Sequence, residues 1–169
     1  YNFEVPASAR RGTTRAEPLK DMRRFMHEAV AVDPASGIVY QTEDLADGLI
    51  TRFIPKRPGK LARGGKLQAL ALRDIGGADT RNWPETGRGT IPMGKPLATR
   101  WVDLEDVTAP NNDLRHRGRE AGAAIFARAE GMWMGEGEVY FACTSGGRTK
   151  AGQVFRYRPG PHEGTPREE

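Results

Sequence analysis

The sequence predicts an all-β fold: part of a β-propeller, with about three blades of antiparallel meanders and one short helical insertion. The first observation is the turn content, because 21 of the 169 residues are glycine and 12 are proline, as in folds with many turns between short strands. The second is an internal repeat, in which two segments about 100 residues apart share one order of strands and turns. We interpret residues 1–169 as a single region of a larger propeller domain.

The predicted strands are short runs rich in apolar residues, and turn residues bound most of them. In chain order they are Asn2–Pro6, Met26–Val32, Gly37–Thr42, Leu49–Ile54, Leu67–Leu72 and Thr99–Leu104, with two or three more after Gly131. The segment at 33–37, Asp-Pro-Ala-Ser-Gly, predicts a tight turn, since Asp and Pro open turns and Gly accepts a positive φ. One segment predicts a helix, from Asn112 to about Ala127, with Asn as its cap and two glycines that weaken it.

The repeat pairs GIVY at 37–40 with GEVY at 137–140, and RFIP at 52–55 with RYRP at 156–159. Each unit is a small meander with apolar faces that need neighbours, and radial packing of such sheets gives a propeller. Leu67–Leu104 is then predicted to be an intervening blade. Three blades are fewer than the roughly four that a closed propeller needs, so we expect the chain to be a piece of a longer protein. An independent β-sandwich or meander is the alternative.

Composition excludes several classes of partner and site. The net charge is +4 and basic residues are mixed with acidic ones, which does not indicate a nucleic-acid surface. We interpret the basic residues of Arg52–Lys66 as a solvated face. No apolar run reaches the roughly 18–20 residues of a membrane span, and no signal peptide is recognisable. The single cysteine, Cys143, excludes an internal disulfide framework, and its apolar strand predicts a buried, inert thiol.

Two glutamates occupy equivalent places in the repeat, each at the start of an inner strand: Glu28 and Glu130. Inner strands line the channel of a propeller, so these carboxylates are expected to converge at one channel mouth. Converging carboxylates repel unless a cation lies between them, which favours an oxygen-loving ion such as Ca²⁺. Arg128, two residues before Glu130, is placed to bind an anion such as phosphate. The alternative is two solvated glutamates and an ordinary surface ion pair.

The sequence Thr-Glu-Asp at 42–44 ends the second strand of the first repeat, whereas Cys-Thr-Ser stands at 143–145 in the second. Glu43 and Asp44 are therefore outside the shared scaffold, and they are either further metal ligands or a polar loop edge. His27 lies beside Glu28 but on the opposite face of an extended strand, which favours a packed histidine over a ligand.

The blocks HEAVAVDPASGIVYQTED, GLITRFIP, RAEGMWMGEGEVYFACTSGG and GQVFRYRP together resemble the PhoX-type alkaline phosphatases, a family of exported proteins. The resemblance implies a β-propeller with a calcium and iron cluster at one mouth that hydrolyses small phosphate esters, in the periplasm or outside the cell. It further implies that Glu28 and Glu130 are metal ligands and that Arg128 contacts the substrate phosphate.

One departure from the family is a missing block. Family members carry a Cys-Glu-Glu run upstream, whose cysteine is implied as an iron ligand, and Cys143 belongs to a different block. We therefore expect this chain to hold about half of a cluster and to be inactive alone. Two hypotheses follow: a portion of a metal-dependent phosphatase, or a non-catalytic binding or structural propeller domain of the same family.

Overall fold

The computed structural model describes residues 1–7, 12–86 and 91–167. They form two antiparallel sheets and one short α-helix: a five-stranded sheet of order β1-β2-β3-β4-β5 and a three-stranded sheet of order β6-β7-β8. The strands are β1 (His27–Val32), β2 (Val39–Glu43), β3 (Ile50–Pro55), β4 (Gly65–Leu72), β5 (Thr99–Asp103), β6 (Ala129–Gly135), β7 (Glu138–Cys143) and β8 (Gln153–Tyr157). The helix, α1, is Leu114–Glu120, and single 3₁₀ turns occur at Lys20–Met22, Leu61–Arg63 and Pro84–Thr86. The all-β prediction is confirmed.

The predicted turn at 33–37 is present and joins β1 to β2. The Asp33 carboxylate accepts hydrogen bonds from the Ala35 amide at 3.0 Å and the Ser36 hydroxyl at 2.5 Å. Gly37 has φ +76°, and its amide donates to the Asp33 carbonyl at 2.8 Å. Glycine is required here because L side chains are strained at that φ.

Each face of the five-stranded sheet buries a separate apolar cluster, because successive side chains of a strand point to opposite faces. One cluster lies under the helix and the loops around it; its members include Phe53, Leu67, Val102, Leu114 and Ile125. The other lies between the two sheets; its members include Tyr40, Ile50, Leu70, Phe141 and Tyr157. The two sheets are therefore packed face to face, with β1 and β6 in contact.

The prediction that Leu67–Leu104 is a separate blade is wrong. β4 pairs with β3, with Phe53 opposite Leu67, and β5 pairs with β4, with Leu70 opposite Trp101. The short connection between β3 and β4 brings them together as antiparallel neighbours, so the first sheet simply grows to five strands. The described residues thus form two sheets instead of three blades, and they do not show the closure of a propeller ring.

Two predicted elements are shorter than expected. The helix ends at Glu120 because Gly122 takes φ +104°, and Ile125 and Phe126 continue as extended chain that bridges Asp79 and Gly48. The longer helix was predicted from the apolar spacing of Ala121, Ala124, Ile125 and Ala127, but the last three of these are buried outside the helix. At the other end, Asn2–Pro6 forms one isolated bridge, from Phe3 to Pro18, and no strand. Within the described residues no helix has the length and apolar character that crossing a membrane requires.

Candidate functional site

The two glutamates predicted at equivalent positions both lie in β-bulges. In β1 the pairing with β2 steps from His27–Glu43 to Val30–Gln41, and in β6 the pairing with β7 steps from Ala129–Cys143 to Met132–Phe141. β1 and β6 therefore each carry one extra residue at the same place, with Glu28 in the first bulge and Glu130 in the second. Bulges redirect side chains and are common beside functional sites. The repeat thus extends to the local geometry of these carboxylates.

The backbone beyond each bulge is also equivalent. The Asp44 amide donates to the Met26 carbonyl, and the Thr144 amide donates to the Arg128 carbonyl, both at 2.9 Å. Asp44 therefore corresponds to Thr144. The Thr144 hydroxyl donates to Glu130 Oε1 at 2.6 Å, so the first repeat has an acidic residue where the second has a donor to its own glutamate.

Thr42 connects the two bulges. Its hydroxyl accepts a hydrogen bond from the Ala29 amide at 2.9 Å and donates one to the Glu130 carbonyl at 2.7 Å. The Thr42 side chain thereby joins Ala29, the residue after Glu28, to the backbone of Glu130. The structure brings both predicted glutamates to the same end of the two sheets, with Glu28 exposed and Glu130 partly exposed.

Arg128 lies at the centre of this end. Its Nε and Nη2 donate to the two oxygens of Asp44 at 2.9 and 3.1 Å, and Nη2 also lies 3.0 Å from Glu130 Oε1. The hydrogen bond to Asp44 and the negative charges of Asp44, Glu130 and Glu28 raise the pKa of Arg128. Its side chain is 49% exposed, so the guanidinium faces solvent while its carboxylate partners hold it. Its backbone has φ +51°, and its amide donates to the Leu45 carbonyl at 2.9 Å.

Glu43 and Asp44 point in opposite directions, as neighbours at a strand end do. Asp44 faces the site through Arg128. Glu43 is 1% exposed: Oε1 lies 2.5 Å from Arg23 Nη2, and Oε2 accepts from the Leu49 amide at 2.9 Å. Both oxygens of Glu43 are thus used inside the protein.

His27 and Cys143 lie away from the exposed carboxylates. The His27 ring packs on Phe25 with ring centroids 3.6 Å apart, and burial lowers its pKa to about 4, so the imidazole is neutral at neutral pH. Cys143 is 1% exposed, and burial raises the pKa of its thiol to about 12. The structure agrees with a packed histidine and an inert thiol.

Whether the residues fit a metal ion depends on the number and kind of donors. Among the described residues there is no group of three or more His, Cys, Asp or Glu arranged to hold a metal. Glu28, Asp44 and Glu130 are hard oxygen donors near one another, which suits Ca²⁺, but Ca²⁺ takes six to eight oxygen ligands. Cys143 supplies no surface thiolate for iron. The described residues therefore fit calcium as an incomplete ligand set.

Sequence reasoning missed Arg23, Thr42 and Thr144. Arg23 is fully buried and gives no apolar signal. The signal that points to it is Glu43, because an acidic residue at the end of a fully buried strand needs a cationic partner. The threonines have no such signal, since their role depends on which strands become neighbours.

Comparison with known proteins finds a matching family model and a similar fold. The family model described as "Alkaline phosphatase PhoX" matches residues 1–168. No curated protein matches the chain significantly. A solved structure, "Pseudomonas fluorescens PhoX in complex with vanadate, a transition state analogue", is similar with a TM-score of 0.55 and 21% identity. The match covers 82% of this chain and 29% of that chain, so this chain spans less than a third of its length. The chain belongs to the PhoX alkaline phosphatase family.

Proposed function

We propose that this chain forms part of the active site of a metal-dependent phosphatase that hydrolyses small phosphate esters. The observation that carries the proposal is the position of Arg128 between Asp44 and Glu130, at the end where both bulged glutamates lie. Family membership supports the phosphatase activity. Since the chain spans 29% of the similar structure's chain, the rest of the site would lie in further blades of a larger propeller.

Arg128 would bind the substrate phosphate. A guanidinium presents five donors in a planar fork, which suits phosphate oxygens. Asp44 engages the Nε–Nη2 edge, and among the described residues no hydrogen bond or ion pair uses Nη1. That free edge and the 49% exposure leave donors for a phosphate oxygen, while the carboxylates keep the side chain in one orientation.

Glu28, Asp44 and Glu130 would hold the cations, which we take to be calcium and iron from the family resemblance. In the second repeat a hydroxyl satisfies Glu130, but its equivalent beside Glu28 is the carboxylate of Asp44. Asp44 binds Arg128, whereas the Glu28 side chain makes no hydrogen bond or ion pair among the described residues, so Glu28 is the carboxylate most open to a cation. A bound cation would withdraw charge from the phosphate during hydrolysis. Arg128 would orient the ester and stabilise charge that develops on its oxygens.

The similar structure supports this assignment through its ligand, vanadate, a transition state analogue. Vanadate is an oxyanion like phosphate, so an exposed arginine beside carboxylates is a suitable receptor. For this chain we extend the proposal to an exported phosphatase, periplasmic or secreted, as is general for the family.

The test is hydrolysis of a chromogenic phosphate monoester by the full-length protein at alkaline pH, with metal content measured in parallel. Arg128→Ala should lower kcat/KM by about 100-fold, the size expected when one donor to the reacting oxyanion is lost. Arg117→Ala is the matched control, because Arg117 also pairs with an aspartate, Asp113, but on the helix. Wild-type activity in Arg128→Ala would overturn the role of Arg128. Wild-type protein that binds phosphate without hydrolysing it would favour a non-catalytic domain instead.

A further inference from the structure

We propose that the buried ion pair between Arg23 and Glu43 is a positioning device that holds Arg128 in the orientation that binds phosphate. The proposal rests on the proposed function of Arg128. In this proposal Glu43 lies inside the protein next to the site and holds the loop at residues 44–48 in place, and Arg23 holds Glu43.

The first step is the ion pair itself. Arg23 has no exposed surface, its Nη2 lies 2.5 Å from Glu43 Oε1, and its guanidinium stacks on the Phe25 ring 3.9 Å from the centroid. Among the described residues Arg23 makes no other ion pair, and none of its Nε, Nη1 and Nη2 atoms makes a hydrogen bond of good geometry, so Glu43 holds it by charge. Replacing a buried ion pair by a well-packed apolar pair is often neutral or stabilising, so such a pair is weak evidence for stability. The pair therefore calls for a role besides stability.

The second step runs from Glu43 to the loop at residues 44–48. Glu43 Oε2 accepts from the amide of Leu49, which follows the loop, and its carbonyl accepts from Leu45 at 3.0 Å. Gly48 packs so closely that an added Cβ would lie 2.4 Å from the Glu43 carbonyl oxygen. One residue thus fastens both ends of the loop, and Arg23 fixes that residue from inside the protein.

The third step runs from the loop to Arg128. Asp44 binds the guanidinium, the Leu45 carbonyl accepts from the Arg128 amide at 2.9 Å, and the Gly48 carbonyl accepts from the Phe126 amide at 2.9 Å. The loop therefore holds the backbone and the side chain of Arg128 together. At φ +51° the backbone of Arg128 is strained for a non-glycine residue and depends on these contacts.

The protein offers a matched control for a purely structural ion pair. Arg52 Nη1 lies 2.6 Å from Glu163 Oε1, and these side chains are 1% and 7% exposed. Glu163 lies near the end of the chain and makes no hydrogen bond with the loop at 44–48 among the described residues. Glu163→Gln should lower stability as Glu43→Gln does, without moving Arg128.

The experiment measures binding of inorganic phosphate by calorimetry in the full-length protein. The variants are Glu43→Gln, Arg23→Lys, Glu163→Gln, Arg128→Ala and the double variant Glu43→Gln/Arg128→Ala. We expect Kd to rise about tenfold in Glu43→Gln and Arg23→Lys, as is typical for residues that orient a ligand-binding group. Glu163→Gln should bind phosphate as the wild type does, and Glu43→Gln should have no further effect once Arg128 is alanine.

A second measurement follows the Nε–H NMR signal of Arg128, which is assigned by its loss in Arg128→Ala. The signal should shift in Glu43→Gln and Arg23→Lys but not in Glu163→Gln. If Glu43→Gln does not fold, Arg23→Lys decides both measurements. Unchanged phosphate affinity and an unchanged Arg128 signal would overturn the positioning role while the phosphatase proposal stands. No phosphate binding by the wild type would overturn the proposed function, and the inference with it.

Discussion

The hydroxyl of Thr42 donates to the carbonyl of Glu130 at 2.7 Å, and so it joins the two halves of the repeat. The same hydroxyl accepts from Ala29, the residue after Glu28. Thr42 is fully buried, and the two strands it joins belong to different sheets. The spacing between the two bulged glutamates is therefore set by a short side chain at the sheet interface.

We predict that Thr42→Val lowers the free energy of unfolding by about 1–3 kcal/mol, because the change leaves the partly buried Ala29 amide and Glu130 carbonyl without their partner. Valine has nearly the same shape, so the loss measures the hydrogen bonds instead of a cavity. Urea denaturation gives the value. Thr144→Val is the control, since the Thr144 hydroxyl bonds near the surface; its loss should be smaller. Equal losses of unfolding free energy in the two variants would show that the hydrogen bonds of Thr42 stabilise the protein no more than the Thr144 hydrogen bond does.

Most of the strand positions could be predicted, because the apolar pattern of a strand and the turn residues at its ends can be read from a few neighbouring residues. β1, β2 and β3 begin and end within three residues of the predicted bounds. The pairing of β4 with β3 could not be predicted from the repeat, because repetition identifies similar units but does not count the strands between them. The helix was predicted too long because Ala121, Ala124 and Ile125 are apolar at helical spacing, whereas the chain becomes extended after Gly122.

The exposed part of the candidate site could be predicted in outline, since Glu28, Arg128 and Glu130 lie in recognisable repeat positions. The buried part could not. The interpretation of Arg52 as part of a solvated face is wrong: it is 1% exposed and binds Glu163, a residue 111 positions away. Arg23 is a second buried arginine of this kind. Nothing local distinguishes these arginines from surface ones, because their burial depends on distant carboxylates.

The carboxylate of Glu163 fixes the segment after β8 to the gap between the sheets. It accepts hydrogen bonds from the hydroxyls of Tyr40 at 2.9 Å and Tyr157 at 2.7 Å, besides its ion pair with Arg52. We predict that Glu163→Ala lowers the free energy of unfolding by about 3–5 kcal/mol, as removal of one partner from a buried pair does. It should also speed chymotryptic cleavage after Tyr157, whose hydroxyl loses its acceptor.

Urea denaturation and limited proteolysis check that prediction. Glu85→Ala is the control, because Glu85 pairs with Lys150 where both side chains are about half exposed. We expect a much smaller change in stability and unchanged chymotryptic cleavage after Tyr157. Cleavage in Glu163→Ala at the wild-type rate would show that other contacts hold the segment.

Cys143 should resist alkylation in the folded protein. Burial raises its pKa to about 12, and the reactive species is the thiolate. At pH 8.5 almost all of the Cys143 thiol is therefore protonated, whereas about half of an ordinary cysteine is ionised. Iodoacetamide labelling followed by mass spectrometry reads out the single cysteine directly. The same protein in guanidinium chloride should be labelled completely, and rapid labelling of the native protein would contradict the prediction.

Asp79 gives the protein a stability term that depends on pH. Its burial would raise its pKa, but hydrogen bonds from the Arg81 side chain at 2.9 and 2.7 Å and from the Arg81 amide outweigh burial and lower it. Because the folded-state pKa lies below the unfolded value of 3.8, the stabilisation is complete above that value. It is lost as the pH falls through the folded-state pKa.

Asp79→Asn should therefore lower the free energy of unfolding by on the order of 1–2 kcal/mol at pH 7, the usual worth of hydrogen bonds to a charged group. The difference from wild type should persist to about pH 5. It should shrink below pH 3.8, where the Asp79 carboxylate is protonated first in the unfolded and then in the folded wild-type protein. Urea denaturation at pH 7, 5, 4 and 3 measures it. Asp74→Asn is the control: Asp74 is exposed and makes no ion pair among the described residues, so its substitution should have little effect at any of these pH values. A difference for Asp79→Asn that stays constant from pH 7 to pH 3 would mean that the carboxylate charge is not what binds Arg81.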